Sequence, residues 1–595
     1  MNRNNEAHFN QIPQTHISRS RFKRDQNIKF TFDAGKLIPF YVDEVLPGDT
    51  FAVDTAGIVR MTTPIFPVMD NAYLDVYYFF VPNRIVWEHW REFMGENTTR
   101  AWEQEIKYTV PKLYLSGRIR NSKGDSVTNK GTCPVENSIL DYMGIPTKIN
   151  KTSKIILTKA DFYDVETAIN ALPIRGYCKI WNEWFRDQNL TDPVTEIRDD
   201  AVDTPSDIDA NKNVYKHLNN NKNSFSETEM NESAVWGDNC LPVAKYHDYF
   251  TSALPKPQKG PEVTIPMSGL YPVELRTISG MTPQTTIYLN GTGSGAMSAK
   301  PTIDGGGGGA ATINGASSDG GSTVKQGSLY VNLAGDATAT GASATINELR
   351  QAFAVQHYYE ALARGGSRYR EIIRSMFGTL ISDKTVQVPE YLGGGRYPIN
   401  MSQVVQTSAT TENSPQGNTG AISVTPFSES SFTKSFEEHG FVIGVCCVRH
   451  DHTYQQGIER FWSREDALDY YFPQFANLGE QGIKVKEIYN SQNQTKENDN
   501  ETFGYQEAWA EYRMKPNRVA GKFRSNADGT LDTWHYADNY TERPYLSDEW
   551  IAEGKEEIQR TLAVQDEPQF IADFLVKNNT TRPMPLYSVP GLEKL

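Results

Sequence analysis

Arg449-His450-Asp451-His452 places two imidazoles and a carboxylate within four residues. In a strand the i, i+2 spacing turns both imidazoles to one face, which supplies half of a zinc ligand set. No third ligand lies within sequence reach, so the reading is polar side chains at a strand end, with no metal and no cofactor expected. Cys446-Cys447, directly before them, would point to opposite faces of the strand, and an adjacent pair rarely closes a disulfide. Buried thiols used as small apolar groups are expected there. Gly291-Thr292-Gly293-Ser294-Gly295-Ala296 loosely fits a dinucleotide-binding turn, but Ser298, Lys300, Pro301 and a five-glycine run follow where a helix should stand. Gly521-Lys522 is followed by Phe523, without the upstream glycine or the Ser/Thr of a phosphate-binding loop. His247-Asp248 has no nucleophile elbow to serve. Glu437-Glu438 and Asp187 are carboxylates whose pairing depends on separations in space, and solvated charge is the default for them. No catalytic residue is assigned, and an enzyme is not expected.

Cations are the other chemistry on offer. Residues 1–30 hold Arg3, Arg19, Arg21, Lys23, Arg24 and Lys29 against Glu6 and Asp25, a local net charge of +4. Such a segment is either a frayed terminus or an arm that pairs with phosphates or a neighbouring subunit. Arg364-Gly365-Gly366-Ser367-Arg368-Tyr369-Arg370 and the series Arg513, Lys515, Arg518, Lys522, Arg524 mix cations with aromatics and glycine, as a single-strand-binding surface would. Pairing with carboxylates within or between subunits is the preferred reading of both.

These residues must be carried by a β-rich scaffold. Short β-like stretches such as Ile28 to Phe32 and Leu74 to Val81 alternate with turns marked by Pro39, Pro47-Gly48, Pro64, Pro67 and Pro82. Asn83 can cap a helix with Val86, Trp87, Trp90 and Met94 on one face, ending at Gly95. Asp161 to Asp187 reads as helical on both sides of Pro173, with Phe162, Val165 and Ile169 on one stripe and Tyr177, Ile180, Trp181, Trp184 and Phe185 on another. Pro173 should kink or break it. Thr191 to Asn231 is a polar surface excursion. Met281 to Thr345 holds 14 of the 45 glycines and only five charged residues. It reads as an inserted module, with short β-like pieces at Thr286 to Leu289 and Ser328 to Leu333. Thr345 to Glu348 forms a capping box for a helix through Leu349 and Phe353 that Gly365-Gly366 stops. Strands return at Phe441 to Val448, followed by aromatic helical pieces around Phe461, Trp462 and Tyr470 to Phe472 and a hairpin signal at Asp528-Gly529. Helices fall between strands without βα alternation, which favours an all-β sandwich with helical insertions.

The 595 residues allow about four domains, or one β unit swollen by insertions. A net charge of -14 argues against a protein that grips nucleic acid with its whole surface. Five scattered cysteines exclude a disulfide framework and point to a reducing compartment. No apolar run approaches a membrane span, and Met1 to Asn10 lacks the regions of a signal peptide.

Phe22 to Val53, Leu172 to Leu190, Tyr246 to Pro261, Ile346 to Gly378, Arg449 to Arg464, Gly504 to Ser525, Leu531 to Ala537 and Pro583 to Leu592 together resemble the major capsid protein of gokushoviruses, small icosahedral single-stranded DNA bacteriophages of the microvirus family. The resemblance implies a mainly β protein: an eight-stranded antiparallel jelly roll of viral capsid type with long helical and loop insertions. Residues 1–30 would be a basic arm, 31–260 and 346–595 the jelly-roll core, 191–231 a surface excursion, and 262–345 a three-fold surface protrusion. About sixty copies, T=1, would close an icosahedral shell around a circular single-stranded DNA genome. Its further implied partners are a small basic DNA-associated protein, a minor pilot protein and a bacterial surface receptor, with no membrane insertion. The chain would reside in the virion after assembly in the host cytoplasm. On this reading Arg19, Arg21, Lys23, Arg24 and Lys29 face DNA, and Gly305, Gly306, Gly307, Gly308 and Gly309 lie in the insertion that contacts the host. The competing class is a carbohydrate-active or lectin-like β-sandwich protein.

Overall fold

The computed structural model describes residues 18–96, 108–114, 136–146, 168–194, 196, 198–200, 240–261, 263, 302–304, 312–314, 346–410, 416–417, 419–491 and 499–587. The chain divides into two compact units, residues 1–261 with 357–595, and residues 262–356.

Among the described residues of the first unit, nine strands build two antiparallel sheets. They are β1 (Ser20–Lys23), β2 (Gln26–Phe32), β3 (Ile38–Val45), β4 (Thr50–Met61), β5 (Ala72–Pro82), β6 (Glu390–Pro398), β7 (Thr425–Ser435), β8 (Gly440–His450) and β9 (Phe570–Arg582). Sheet one runs β1-β9-β4-β7, with β2 continuing beside β9 where β1 leaves it; sheet two runs β6-β5-β8-β3. The pairing is nested: β2 with β9, β3 with β8, β4 with β7, β5 with β6. Successive strands therefore cross repeatedly between the sheets.

Side-chain alternation explains which faces meet. In β9 every second residue from Phe570 through Ala572, Phe574 and Val576 to Asn578 and Thr580 is buried, the period-two signature of a half-covered strand. Phe574 meets Phe40 of sheet two edge-on at 5.1 Å, and Tyr78 of sheet two meets Phe432 at 5.5 Å, so the two inner faces share one core. Polar residues that point inward find partners: Thr55 Oγ1 lies 2.6 Å from the Tyr78 hydroxyl, and Asn578 Nδ2 donates to Asp43 Oδ2 at 3.2 Å.

β8 lacks alternation, being buried at every position except the half-buried Arg449. The reason is a cover on the outer face of sheet two, the helix Leu172–Ile180 and the wide π turn Trp181–Phe185 that continues it. A Cβ on Gly176 would stand 3.1 Å from Ile443 Cδ1, so this glycine lets the helix approach the sheet closely. Trp184 and Phe185 then lie on Phe79, at 5.3 and 5.9 Å between rings. Both Cys446 and Cys447 are fully buried on this doubly covered strand, and burial pushes the Cys447 thiol up to about 12.

Three local expectations change. Pro173 does not kink a helix; it sits in the first turn, where its missing N–H costs nothing, and Ile169 belongs to the short strand Ala168–Asn170. The helix expected from Asn83 is two pieces, Asn83–Val86 and Trp90–Phe93, because Trp87 is extended between them. Its fully buried indole donates to Asp200 Oδ1 at 2.7 Å. Asp528-Gly529 makes a turn closed by the Leu531 N–H on the Lys522 carbonyl, with no flanking strands. Phe162 and Val165 lie outside the described residues.

A second apolar core, with Tyr249, Phe250, Tyr454, Ile483, Ile488 and Phe503, lies among the segments outside the nine strands. In the second unit, Thr302–Asp304 pairs antiparallel with Thr312–Asn314, Ile303 opposite Ile313. Gly305 to Gly309, Thr286 to Leu289, Ser328 to Leu333 and all of 201–231 lie outside the described residues. Among the described residues no helix is long and apolar enough to cross a membrane.

Candidate functional site

An aromatic ridge between β8 and β9 is a concentrated exposed apolar feature among the described residues of the first unit. Residues 460–475 are too rich in Asp, Pro and aromatics for a long helix and instead form three 3₁₀ turns, Arg460–Ser463, Ala467–Asp469 and Pro473–Phe475. Trp462 is 72% exposed and Leu468 70%, with Tyr470, Tyr471, Phe472 and Tyr512 exposed beside them. Ion pairs anchor the ridge from below. Arg460 donates to Glu487 Oε1 through Nε at 3.0 Å and Nη2 at 2.8 Å, and Arg464 donates to Glu511 Oε1 at 2.9 Å and the Tyr512 hydroxyl at 2.6 Å. Trp509 Nε1 donates to the Phe475 carbonyl at 3.0 Å. A cavity of about 210 Å³ opens alongside, lined by Tyr249, Phe250, Phe461, Tyr512 and Met514 among others. The apolar groups are thus held outward on a fixed frame, and covering each large one would contribute about 1.5–3 kcal/mol.

The described part of the basic segment is built into sheet one. Arg21 stands opposite Thr581 and Lys23 opposite Asn579 on β9, and Lys29 opposite Asp573. Arg21, Lys23 and Lys29 are exposed, as is Arg19 before β1. Lys23 pairs with Asp25 at 3.1 Å and Lys29 with Asp573 at 3.3 Å, on solvent-screened surface. Arg24 differs: it grips Asp43 with both Nη atoms, at 2.7 and 2.5 Å, and that carboxylate also accepts from Tyr41 and Asn578. Arg24 is therefore committed to an ion pair within the chain.

Most cations of the two other arginine stretches pair with carboxylates of the chain, while Arg524 donates to the Gln455 carbonyl at 2.6 Å. Arg364 donates to Glu480, Arg368 to Glu371, and Arg370 to Asp383 while its guanidinium lies 3.9 Å from the Trp184 ring centroid. Arg513 pairs with Glu507, and Lys515 and Arg518 share Glu459.

His450 and His452 do share a face, with ring centroids 4.3 Å apart, but they are buried, and the fold supplies the partners that the local sequence lacks. His452 Nδ1 lies 3.0 Å from Asp538 Oδ1 and Nε2 lies 3.1 Å from Glu553 Oε2, residues 86 and 101 positions away. His450 Nδ1 stands 2.5 Å from Glu553 Oε1. Burial disfavours the imidazolium of His452, yet the Asp538 and Glu553 carboxylates raise it to about 10. Burial would likewise favour the neutral acids, but the adjacent imidazoles hold Asp538 and Glu553 well below the usual carboxylate range. Sequence reasoning missed both carboxylates because no spacing signal connects them to the histidines. Asp75 is another fully buried acid, accepting from Arg396 Nε at 2.8 Å, Arg449 Nη2 at 2.5 Å and the Tyr246 hydroxyl at 2.8 Å.

Comparison with known proteins identifies the kind of molecule that carries these surfaces. The family model described as capsid protein (F protein) matches residues 10–592. Capsid protein VP1 of Chlamydia phage 1 is 38% identical, over 99% of this chain and 98% of the relative. Capsid protein VP1 of Bdellovibrio phage phiMH2K is 37% identical and that of Spiroplasma virus 4 35%, each over 99% of this chain and 98% of the relative. All three relatives are named as capsid proteins, which decides against the carbohydrate-active or lectin-like reading. With its whole described sandwich inside the matched region, the chain belongs to the F-protein family of bacteriophage capsid proteins.

Proposed function

We propose that this chain closes, in about sixty copies with T=1 geometry, into an icosahedral shell around a circular single-stranded DNA genome. The observation that carries the reading is the aromatic ridge at 460–475: a rigidly braced row of exposed Trp, Leu, Tyr and Phe that a second copy would cover. The nested strand pairing supports an eight-stranded jelly roll, with β1 and β2 counted as one interrupted strand. Electron microscopy of the purified chain tests the assembly reading. Shells of uniform diameter are expected, and a stable monomer overturns it.

Arg19, Arg21, Lys23 and Lys29 are the cations we assign to the genome, since their positive charge is exposed on or beside sheet one. Replacing Arg19, Arg21 and Lys23 by Ala should reduce the DNA retained by particles at raised salt, because each lost phosphate contact lowers the salt-dependent binding. Arg24 is left out of this variant, since its loss would strand Asp43. Unchanged retention across a salt series counts against the assignment. A small basic DNA-associated protein and a minor pilot protein complete the proposed virion, which is assembled in the host cytoplasm. Residues 262–345, including Gly305 to Gly309, form the proposed protrusion toward a bacterial receptor. Deleting Met281 to Thr345 should leave shells that image normally and fail to adsorb; normal adsorption sinks that role.

A further inference from the structure

The cluster at the end of β8 holds more than an ion pair requires. Glu553 touches one nitrogen of each ring, His450 Nδ1 at 2.5 Å and His452 Nε2 at 3.1 Å. That leaves the other nitrogen of each imidazole, and beside His452 Nδ1 stands Asp538 at 3.0 Å. One donor atom from each of His450, His452 and Asp538 lies within 4.8 Å of the other two, and all three residues are buried. His450 Nε2 has no hydrogen-bond partner, although the residue is 0% exposed. A buried imidazole nitrogen without a partner is costly.

The surrounding charge points the same way. Asp538 and Glu553 put two carboxylates in one buried place. Lys245 Nζ lies over the Trp550 ring at 4.8 Å, and Arg560 Nη2 donates to the carbonyls of His535 and Ala537 at 3.0 and 2.6 Å.

We propose that His450, His452 and Asp538 bind one divalent transition-metal ion of the zinc type, with Glu553 as the carboxylate that orients both imidazoles. Two imidazoles and a carboxylate are a mixed N/O donor set of the kind zinc accepts, and a water completes four-coordination. A carboxylate holding the far nitrogen of a metal-bound histidine is the recurrent second partner of such sites. Zinc bonds of about 2.0–2.1 Å place tetrahedral ligands about 3.4 Å apart, so the donors draw together by roughly an ångström on binding. Tyr536 of the sandwich core packs on His450, with ring centroids 5.5 Å apart, while Tyr540, which packs on the second core, donates to Asp538 at 3.0 Å. The ion would therefore clip the second core to the end of β8.

Cobalt(II) is the probe, added to the full-length chain after dialysis against a chelator. One Co²⁺ per chain is expected, with the visible bands of a tetrahedral site and displacement by Zn²⁺. His450→Ala and Asp538→Asn should weaken binding at least about tenfold, and Glu553→Gln by about 10–100-fold at unchanged stoichiometry. X-ray absorption on the zinc-loaded wild-type chain needs no variant and should show two imidazole ligands. Absence of a stoichiometric site, a metal shell without imidazole, or unchanged affinity in folded His450→Ala overturns the proposal.

Discussion

Trp462→Asp combined with Leu468→Asp should give a folded chain that builds no shells. Both side chains are largely in solvent, at 72% and 70% exposure, so each substitution should cost the single chain no more than about 0.5 kcal/mol. In an assembly the balance reverses. Loss of a buried aromatic or aliphatic anchor costs about 2 kcal/mol or more per interface, and an aspartate there must also be desolvated. Each 1.4 kcal/mol is about a tenfold change in the association constant, and a closed shell repeats every contact in every copy. Sedimentation velocity should show only slow species at concentrations where the parent chain forms particles, with an unchanged melting temperature. Shells at the parent concentration would show that the ridge faces solvent in the particle.

The second large effect falls on stability. Asp75→Ala should destabilise the chain by about 3–5 kcal/mol, the cost of removing one partner from a buried ion pair. Asp75 has no exposed surface, and Arg449, whose guanidinium lies 4.2 Å from the Tyr246 ring centroid, would keep its charge without a counter-ion. Arg396 contributes less, because its side chain is 49% exposed and water screens it. Asp75→Asn should recover part of the loss, since the amide oxygen still accepts from Tyr246 or one arginine. Denaturant midpoints measure both variants. An Asp75→Ala chain with the parent midpoint would mean that water replaces the carboxylate and the network is not dry.

The strands were the most legible part of the molecule. Gly440 to Val448 is an uninterrupted apolar run, which only a strand covered on both faces can use, and β8 is such a strand. Positions set by distant partners were not legible. Trp87 interrupts a good helical stripe because it is drawn into the core and its indole donates to Asp200, 113 residues on. Pro173 is read differently once the strand Ala168–Asn170 shows that the helix begins beside it. The histidine cluster depends on Asp538 and Glu553, which single-sequence spacing cannot connect to residue 450. Arg24 and Arg21 look alike in sequence, yet one clamps Asp43 and the other faces solvent. Strand parity separates them only when the register is known.

The place of β9 in sheet one has a consequence for biosynthesis. Phe570–Arg582 lies between β1 and β2 on one side and β4 on the other, so it is an interior strand that joins distant stretches of chain. During translation β4 waits with an open hydrogen-bonding edge while more than 500 residues are added. Sheet one closes only after β9 leaves the ribosome. Contacts of such long sequence separation fold slowly and leave strand edges exposed to aggregation. The same arrangement acts as a checkpoint on translation: a prematurely ended chain lacks the middle of a sheet and has no complete surface to offer its neighbours.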